Sequence, residues 1–228
     1  MFIPLKDLNP RRSFPFVNTA LILVNVAAFL YQAQLPVQAR NVFVLANATI
    51  PARFSSALSG HSSLELAFLG LLTSMFLHSG IAHIAGNMLF LWIFGDNVED
   101  YFGHIAYLVF YLACGLVAAL LHVFFNFNSM LPALGASGAI SGVMGAYALL
   151  YPRARVLTLV FVFLLPLPAL LILGLWFAMQ FLEGINALGS SAAGGVAWWA
   201  HVGGFLTGLF ITMISRGSSR ARDFGFGS

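Results

Sequence analysis

The sequence predicts an all-α fold, a polytopic membrane bundle of six transmembrane helices. Three observations carry this. Of the 228 residues, 60% are hydrophobic and only 7% are charged, with 23 phenylalanines and a mean hydropathy of +0.92, far beyond a water-soluble domain. The apolar runs are long and continuous, whereas strands of a membrane barrel would alternate apolar and polar residues. The ten basic residues fall almost entirely in short loops and tails, so the net charge of +3 and the pI near 9.4 read as topology signals. No nucleic-acid partner is expected; the lipid bilayer is. Cys114 is the one cysteine, lies in an apolar run and can form no internal disulfide.

Apolar runs of about 20 residues place spans near 15–31, 72–95, 104–125, 137–151, 166–183 and 197–215. Residues 1–14 form an N-terminal segment, 15–215 one membrane domain and 216–228 a basic tail. The first run follows Lys6, Arg11 and Arg12 like a signal peptide, but no small-residue cleavage site succeeds it, so it reads as an anchored span. Under six spans, Lys6, Arg11, Arg12, Arg153, Arg155, Arg216, Arg220 and Arg222 share one side, against Arg40 and Arg53 on the other. Both termini are therefore expected to be cytoplasmic. The loop 32–70 then faces outward, its "SSLELAFLGLL" lying in the interface. "GDNVED" reads as a solvated cytoplasmic turn, His104 as an interfacial cap and His122 as exposed near the outer end of the third span. Trp176, Trp198 and Trp199 fit an aromatic belt.

Two spans are irregular. The fourth has about 15 residues and reaches about 22 Å, against a hydrocarbon core of about 30 Å. Its start must lie below the outer surface, and "NFNSMLPALGA" before it must dip inward, shielded by protein or facing water. Between Arg155 and Glu183 the run is too long and is broken by Pro166 and Pro168. "VLTLVFVF" reads as a cytoplasmic interfacial segment, with a proline near the first turn of the fifth helix.

The short fourth helix carries "LGASGAISGVMGAY", residues 134–147. Ser137 begins it, and Gly138, Gly142 and Gly145 follow along one face. In "AHVGGFLTG" of the sixth span, His201, Gly204 and Gly208 recur at i, i+3 and i+7. Two glycine faces packed together would bring His201 to Ser137. Small residues in spans most often serve packing alone, and a buried imidazole can simply bond a carbonyl; yet histidine within a bilayer is by default functional. In "FLHSGIAHIAGNMLFLW", His83 and Asn87 are four apart on one face, two donors suited to a developing oxyanion. The N–H of Ser137, at a helix start, would add a third. His78 points away and reads as structural.

Taken together and in this order, "HSGIAHIAGNM", "FGDNVE", "GASG" and "AHVGGFLTG" resemble the rhomboid family of intramembrane serine proteases over most of the chain. The resemblance implies a serine endopeptidase cleaving membrane-anchored proteins in or beside their transmembrane segment, with Ser137 as nucleophile, His201 as general base and His83 and Asn87 stabilising the oxyanion. It also suggests that Glu99 bonds within the bundle, and that six spans fit a prokaryotic plasma (inner) membrane. The partners implied are transmembrane protein substrates; no cofactor and no metal is implied. The residues agree: a serine hydroxyl is a poor nucleophile until an adjacent base takes its proton. No carboxylate lies where it would complete a triad, so a Ser-His dyad is expected.

Two departures from the family pattern stand out. A Trp-Arg pair frequent before the second span is replaced by "AFLGLLTS". Ser141 stands where many members stack an aromatic residue on the histidine, and it is expected to hydrogen-bond His201 as a second-sphere orienting group. A metalloprotease would need ligands such as HExxH, which are absent, though His78, His83 and His201 could in principle collect a metal. A catalytically silent rhomboid-like binding or chaperone protein would keep the bundle and lose the serine or histidine, and both are here. Helix five, with Pro166, Pro168 and Gly174, is the expected lateral gate for substrate.

Overall fold

A computed structural model describes residues 2–188 and 196–223. Its elements in order are β1 (Phe2–Asp7), α1 (Phe16–Gln34), α2 (Val37–Asn47), α3 (Pro51–Leu58), α4 (Leu64–Thr73), α5 (Ile81–Phe102), α6 (His104–Phe125), α7 (Ser137–Leu150), β2 (Arg155–Val160), β3 (Phe163–Pro168), α8 (Ala169–Leu188) and α9 (Trp198–Asp223). The molecule is a helical membrane bundle. Among the described residues, α1, α6, α8 and the Trp198–Arg216 part of α9 are long and apolar enough to cross a membrane. The stretch Leu64–Phe76 with α5 forms a pair bent by 80°, and α7 is shorter.

Helix α7 sits at the centre. Every residue from Gly138 to Ala148 is buried, so its sequence is apolar or small on all sides. Leu91, Phe94, Val98, Tyr107 and Tyr111 complete the main core around it. A helix enclosed by others need not reach both membrane surfaces, which is why 14 residues suffice. Its partner α9 approaches along glycines. A Cβ on Gly204 would strike the carbonyl oxygen of Gly138, one on Gly208 that of Gly142, and one on Gly145 that of Phe205. Backbone thus lies on backbone without intervening side chains.

Several sequence expectations need correction. The second span does not begin at 72: α4 ends at Thr73, a single 3₁₀ turn follows over Ser74–Phe76, and α5 starts only at Ile81. The outer loop 32–70 is itself helical, and α4 packs Leu71 and Ala67 with Phe54 and Val123 in a small second core. "GDNVED" is no solvated turn but the last turns of α5, with Asn97, Val98 and Glu99 buried. The Glu99 carboxylate accepts from the N–H groups of Val17 (2.9 Å) and Asn18 (2.7 Å), capping α1 with a negative charge where its amides lack partners. His104 pairs with the same carboxylate. Asp100 likewise receives Arg12 N–H and the Ser13 N–H and hydroxyl.

The fold is not purely helical. "VLTLVFVF" forms β2 and the turn into β3, and β1 adds to them in an antiparallel sheet ordered β1-β2-β3. Pro166 and Pro168 lie in β3, with α8 starting after them at Ala169. At the same end of the bundle, Tyr147 Oη donates to Asp7 Oδ2 at 2.6 Å, fastening β1 to α7. Burial pushes the Asp7 carboxyl up to about 6, against the lowering by Tyr147's hydrogen bond. Helix α9 runs on to Asp223, through part of the stretch read as a tail; residues 224–228 lie outside the described residues.

Candidate active site

The site is built from α5, α7, α8, α9 and the chain entering α7. That chain dips into the bundle with its backbone satisfied by protein: Thr49 and Ala133 exchange both N–H···O bonds (3.0 and 2.8 Å), and Gly135 N–H reaches Ser74 O at 2.9 Å. This is the shielding that irregular backbone needs at membrane depth. Gly135 has φ +125°, outside the range of L side chains, and a Cβ there would lie 2.8 Å from His83 Nε2. Glycine at 135 therefore both makes the turn and leaves room for the His83 ring beside Ser137.

Ser137 and His201 meet. The Ser137 Oγ and His201 Nε2 are 2.8 Å apart, and His201 Nδ1 lies 2.7 Å from Oε1 of Gln180 on α8. An amide oxygen only accepts, so Nδ1 carries the proton and Nε2 is left to accept from the serine hydroxyl. Both ring nitrogens are thereby occupied. Ser141 Oγ instead donates to the carbonyl of Ser137, one turn back, at 2.6 Å; the expected Ser141–His201 contact gives way to Gln180. The sequence reading missed Gln180. The available signal was an uncharged amide in an otherwise apolar span, which should turn toward protein, four residues after Trp176 and so on the same face.

Trp176, Trp198 and Trp199 border this site or the core. Trp176 leans over His201 with ring centroids 5.8 Å apart, Trp198 meets it edge-on at 6.3 Å, and buried Trp199 stacks on Phe125 at 3.9 Å. Aromatic contact with the histidine thus comes from α8 and the start of α9, not from position 141.

His83 and Asn87 face the same space. The Ser79 backbone N–H donates to His83 Nδ1 at 3.4 Å, which fixes the proton on Nε2, the atom nearest Gly135. Asn87 is buried, and among the described residues its Nδ2 has no hydrogen-bond partner. An orphaned buried amide is rare enough to require a reason. His78 is fully buried, its ring edge-on to His83 at 5.1 Å. Gln32 Nε2 donates to the His78 carbonyl at 2.7 Å.

A cavity of about 800 Å³ joins these groups. Polar Ser79, Asn126 and Ser129 line it, as do apolar Phe90 on α5 and Trp176 on α8. His122, half-buried rather than exposed, contributes to the same wall. Among the described residues, none that lines it is acidic. The arrangement can hold a histidine against a serine hydroxyl, with His83 and Asn87 bordering the same cavity.

Comparison with known proteins finds relatives that share one family. The chain is 31% identical over 161 residues to "Rhomboid protein 1, mitochondrial" of Saccharomyces cerevisiae, covering 68% of this chain and 44% of that protein. It is 35% identical over 147 residues to "RHOMBOID-like protein 6, mitochondrial" of Arabidopsis thaliana, covering 63% and 42%. To "Rhomboid protease GluP" of Bacillus subtilis it is 46% identical over 76 residues, 33% of this chain and 14% of that one. The chain thus spans less than half the length of these curated relatives. Two of the three are mitochondrial by name, which runs against a prokaryotic plasma membrane as the expected location. The family model for the rhomboid domain matches residues 65–218, and the chain belongs to the rhomboid family.

Proposed function

We propose that this protein is an intramembrane serine endopeptidase that cleaves membrane-anchored proteins in or beside their transmembrane segment. The observation that carries the proposal is the 2.8 Å contact between Ser137 Oγ and His201 Nε2 across the α7–α9 glycine seam. In this reading Ser137 Oγ attacks the scissile carbonyl as its proton passes to His201 Nε2. The carbonyl oxygen becomes an oxyanion held by His83 Nε2–H, Asn87 Nδ2–H and the Ser137 N–H, which has no acceptor within the helix. His201 then returns the proton to the departing amine, and water hydrolyses the acyl-enzyme by the same steps in reverse. Gln180 accepts from Nδ1 throughout and orients the ring.

The wider arrangement is part of the proposal. Helix α7 serves as a sixth, short span inside the bundle, with both termini on the cytoplasmic side. The sheet supports this: it gathers Lys6 and Arg155 at one end of the bundle, where Arg216 also bonds the Leu149 carbonyl at 3.0 Å. Substrate enters laterally between α5 and α8, whose Phe90 and Trp176 both border the cavity.

The test is cleavage of a single-span substrate by the purified protein in liposomes. Chelator-resistant cleavage, lost in Ser137→Ala and in His201→Ala, is expected. Absence of both cleavage and fluorophosphonate labelling of Ser137 in the unaltered protein would refute it in favour of a silent binding protein.

A further inference from the structure

The β2–β3 hairpin presents an apolar surface that none of the described residues covers. From Phe161 to Pro168 no side chain is polar. Phe161 is 78% exposed, Val162 81%, Phe163 66% and Leu164 55%. Successive strand residues point to opposite faces, so Phe163 and Leu164 show that both faces of β3 are open near the tip. Such a strand in water would be an aggregation site. Its free edge is unsuited to a further strand, because Pro166 and Pro168 have no N–H to offer.

Charge is distributed along the hairpin as well. Arg155 stands at its base opposite Pro168, and Lys6 of β1 lies opposite Leu157. Residues paired across antiparallel strands share a face, so Lys6, Arg155 and Leu157 lie together, with Leu159 and Leu164 beyond them toward the tip. Both cations are exposed. The open face therefore grades from cationic at the base to purely apolar at the tip, over six residues per strand, or about 20 Å. The apolar surface continues directly into α8, where Leu170, Leu171 and Leu175 are exposed on a helix long enough to span.

We propose that this hairpin is a membrane anchor whose Phe161–Val162 tip inserts into the bilayer leaflet on the side where α7 ends, with Lys6 and Arg155 at the level of anionic headgroups. A gradient from cation to hydrocarbon matches the gradient from headgroup to acyl chain. A protein partner of this surface would need neither the grading nor the proline-blocked edge. The anchor ties the lower end of α8 and, through β1, the N-terminal strand to the membrane plane. It holds whether or not Ser137 reacts.

The experiment places an environment-sensitive fluorophore on Val162→Cys in a Cys114→Ala background, with the full chain in phosphatidylcholine vesicles with and without phosphatidylglycerol. Val109→Cys, exposed on α6, and His61→Cys, exposed between α3 and α4 and ahead of "SSLELAFLGLL", serve as lipid and water references. Emission at 162 should be blue-shifted and quenched by nitroxide lipid as at 109, with little quenching by aqueous iodide. Lys6→Glu with Arg155→Glu should lower nitroxide quenching in the anionic vesicles. Quenching by iodide as at 61 would overturn the proposal, and so would protection from both quenchers, which would mean cover by a second copy of the chain. Nitroxide quenching unmoved by the charge reversals would overturn the headgroup assignment.

Discussion

Gln180 offers the sharpest test of the proposed chemistry. Its Oε1 accepts from His201 Nδ1 at 2.7 Å, from a helix with few other buried residues. During attack the imidazole becomes an imidazolium, and this bond changes from a neutral to a charge-assisted one. Such bonds contribute about 1.5–3 kcal/mol, against about 0.5–1.5 for neutral pairs. The strengthening is realised only in the transition state, so it acts on kcat and leaves KM alone. Removing the acceptor in Gln180→Leu should therefore raise the barrier by about 1–1.5 kcal/mol and lower kcat roughly 5- to 15-fold. Gln180→Glu still presents an oxygen acceptor in either protonation state and should recover most of the loss. The assay is liposomal cleavage at varied substrate density, with thermal unfolding of each variant as the control. A Gln180→Leu enzyme with unchanged kcat, or a well-folded Gln180→Glu enzyme as impaired as Gln180→Leu, would refute the orienting role.

Three further outcomes are expected. Asn87→Ala should lower kcat by about 10²-fold as an oxyanion donor is lost, with little change in the unfolding midpoint, because Nδ2 bonds none of the described residues. Gly204→Ala or Gly208→Ala should destabilise by about 1–3 kcal/mol through overpacking and abolish fluorophosphonate labelling; Gly174→Ala, whose Cβ would meet nothing, should leave both intact. The Asp7 carboxyl titrates near 6 in the folded protein, above its ordinary 3.8, because burial penalises the charged form. The folded state then binds the extra proton, so attachment of β1 is strongest at low pH and weakens as pH rises from about 3.8 through about 6. Tyr147, Asp96 and Lys6 face the same carboxyl. Hydrogen exchange in β1, corrected for intrinsic rates, should rise across that window and lose the dependence in Asp7→Asn, which keeps an acceptor for Tyr147.

What the sequence made legible follows the range of each interaction. Ser137, Gly138, Gly142 and Gly145, like His201, Gly204 and Gly208, declare themselves through helical spacing, and composition fixes the membrane class. Gln180 did not declare itself, because its partner is 21 positions away on another helix. Ser141 misled for the opposite reason. A serine inside a helix has its own i−4 carbonyl within constant reach, and that local bond to Ser137 O prevails over a longer one. The sheet was hidden in the same way: "VLTLVFVF" is compatible with several states, and the strand that completes it pairs Phe2 with Val160, across most of the chain. Glu99 reads as solvated from its neighbours alone, until the N-terminus of α1 arrives to be capped.

Packing and chemistry stand as rival explanations of the small residues in α7 only while each helix is read alone. Once α7 and α9 are together, they require one another. A serine side chain reaches barely beyond its own backbone, so an imidazole fixed to a neighbouring helix can touch it only if the two backbones nearly touch. That distance is set where the Gly138 and Gly142 carbonyls face Gly204 and Gly208, within two turns of the Ser137–His201 contact. A methyl group at either glycine would part the helices by more than a hydrogen bond tolerates. The glycine stripe is thus a positioning element for the dyad, and the same close approach leaves α7 short, central and sealed from lipid. Gln180 completes the arrangement from α8, a helix with few other buried residues, which makes the histidine's orientation depend on where α8 sits.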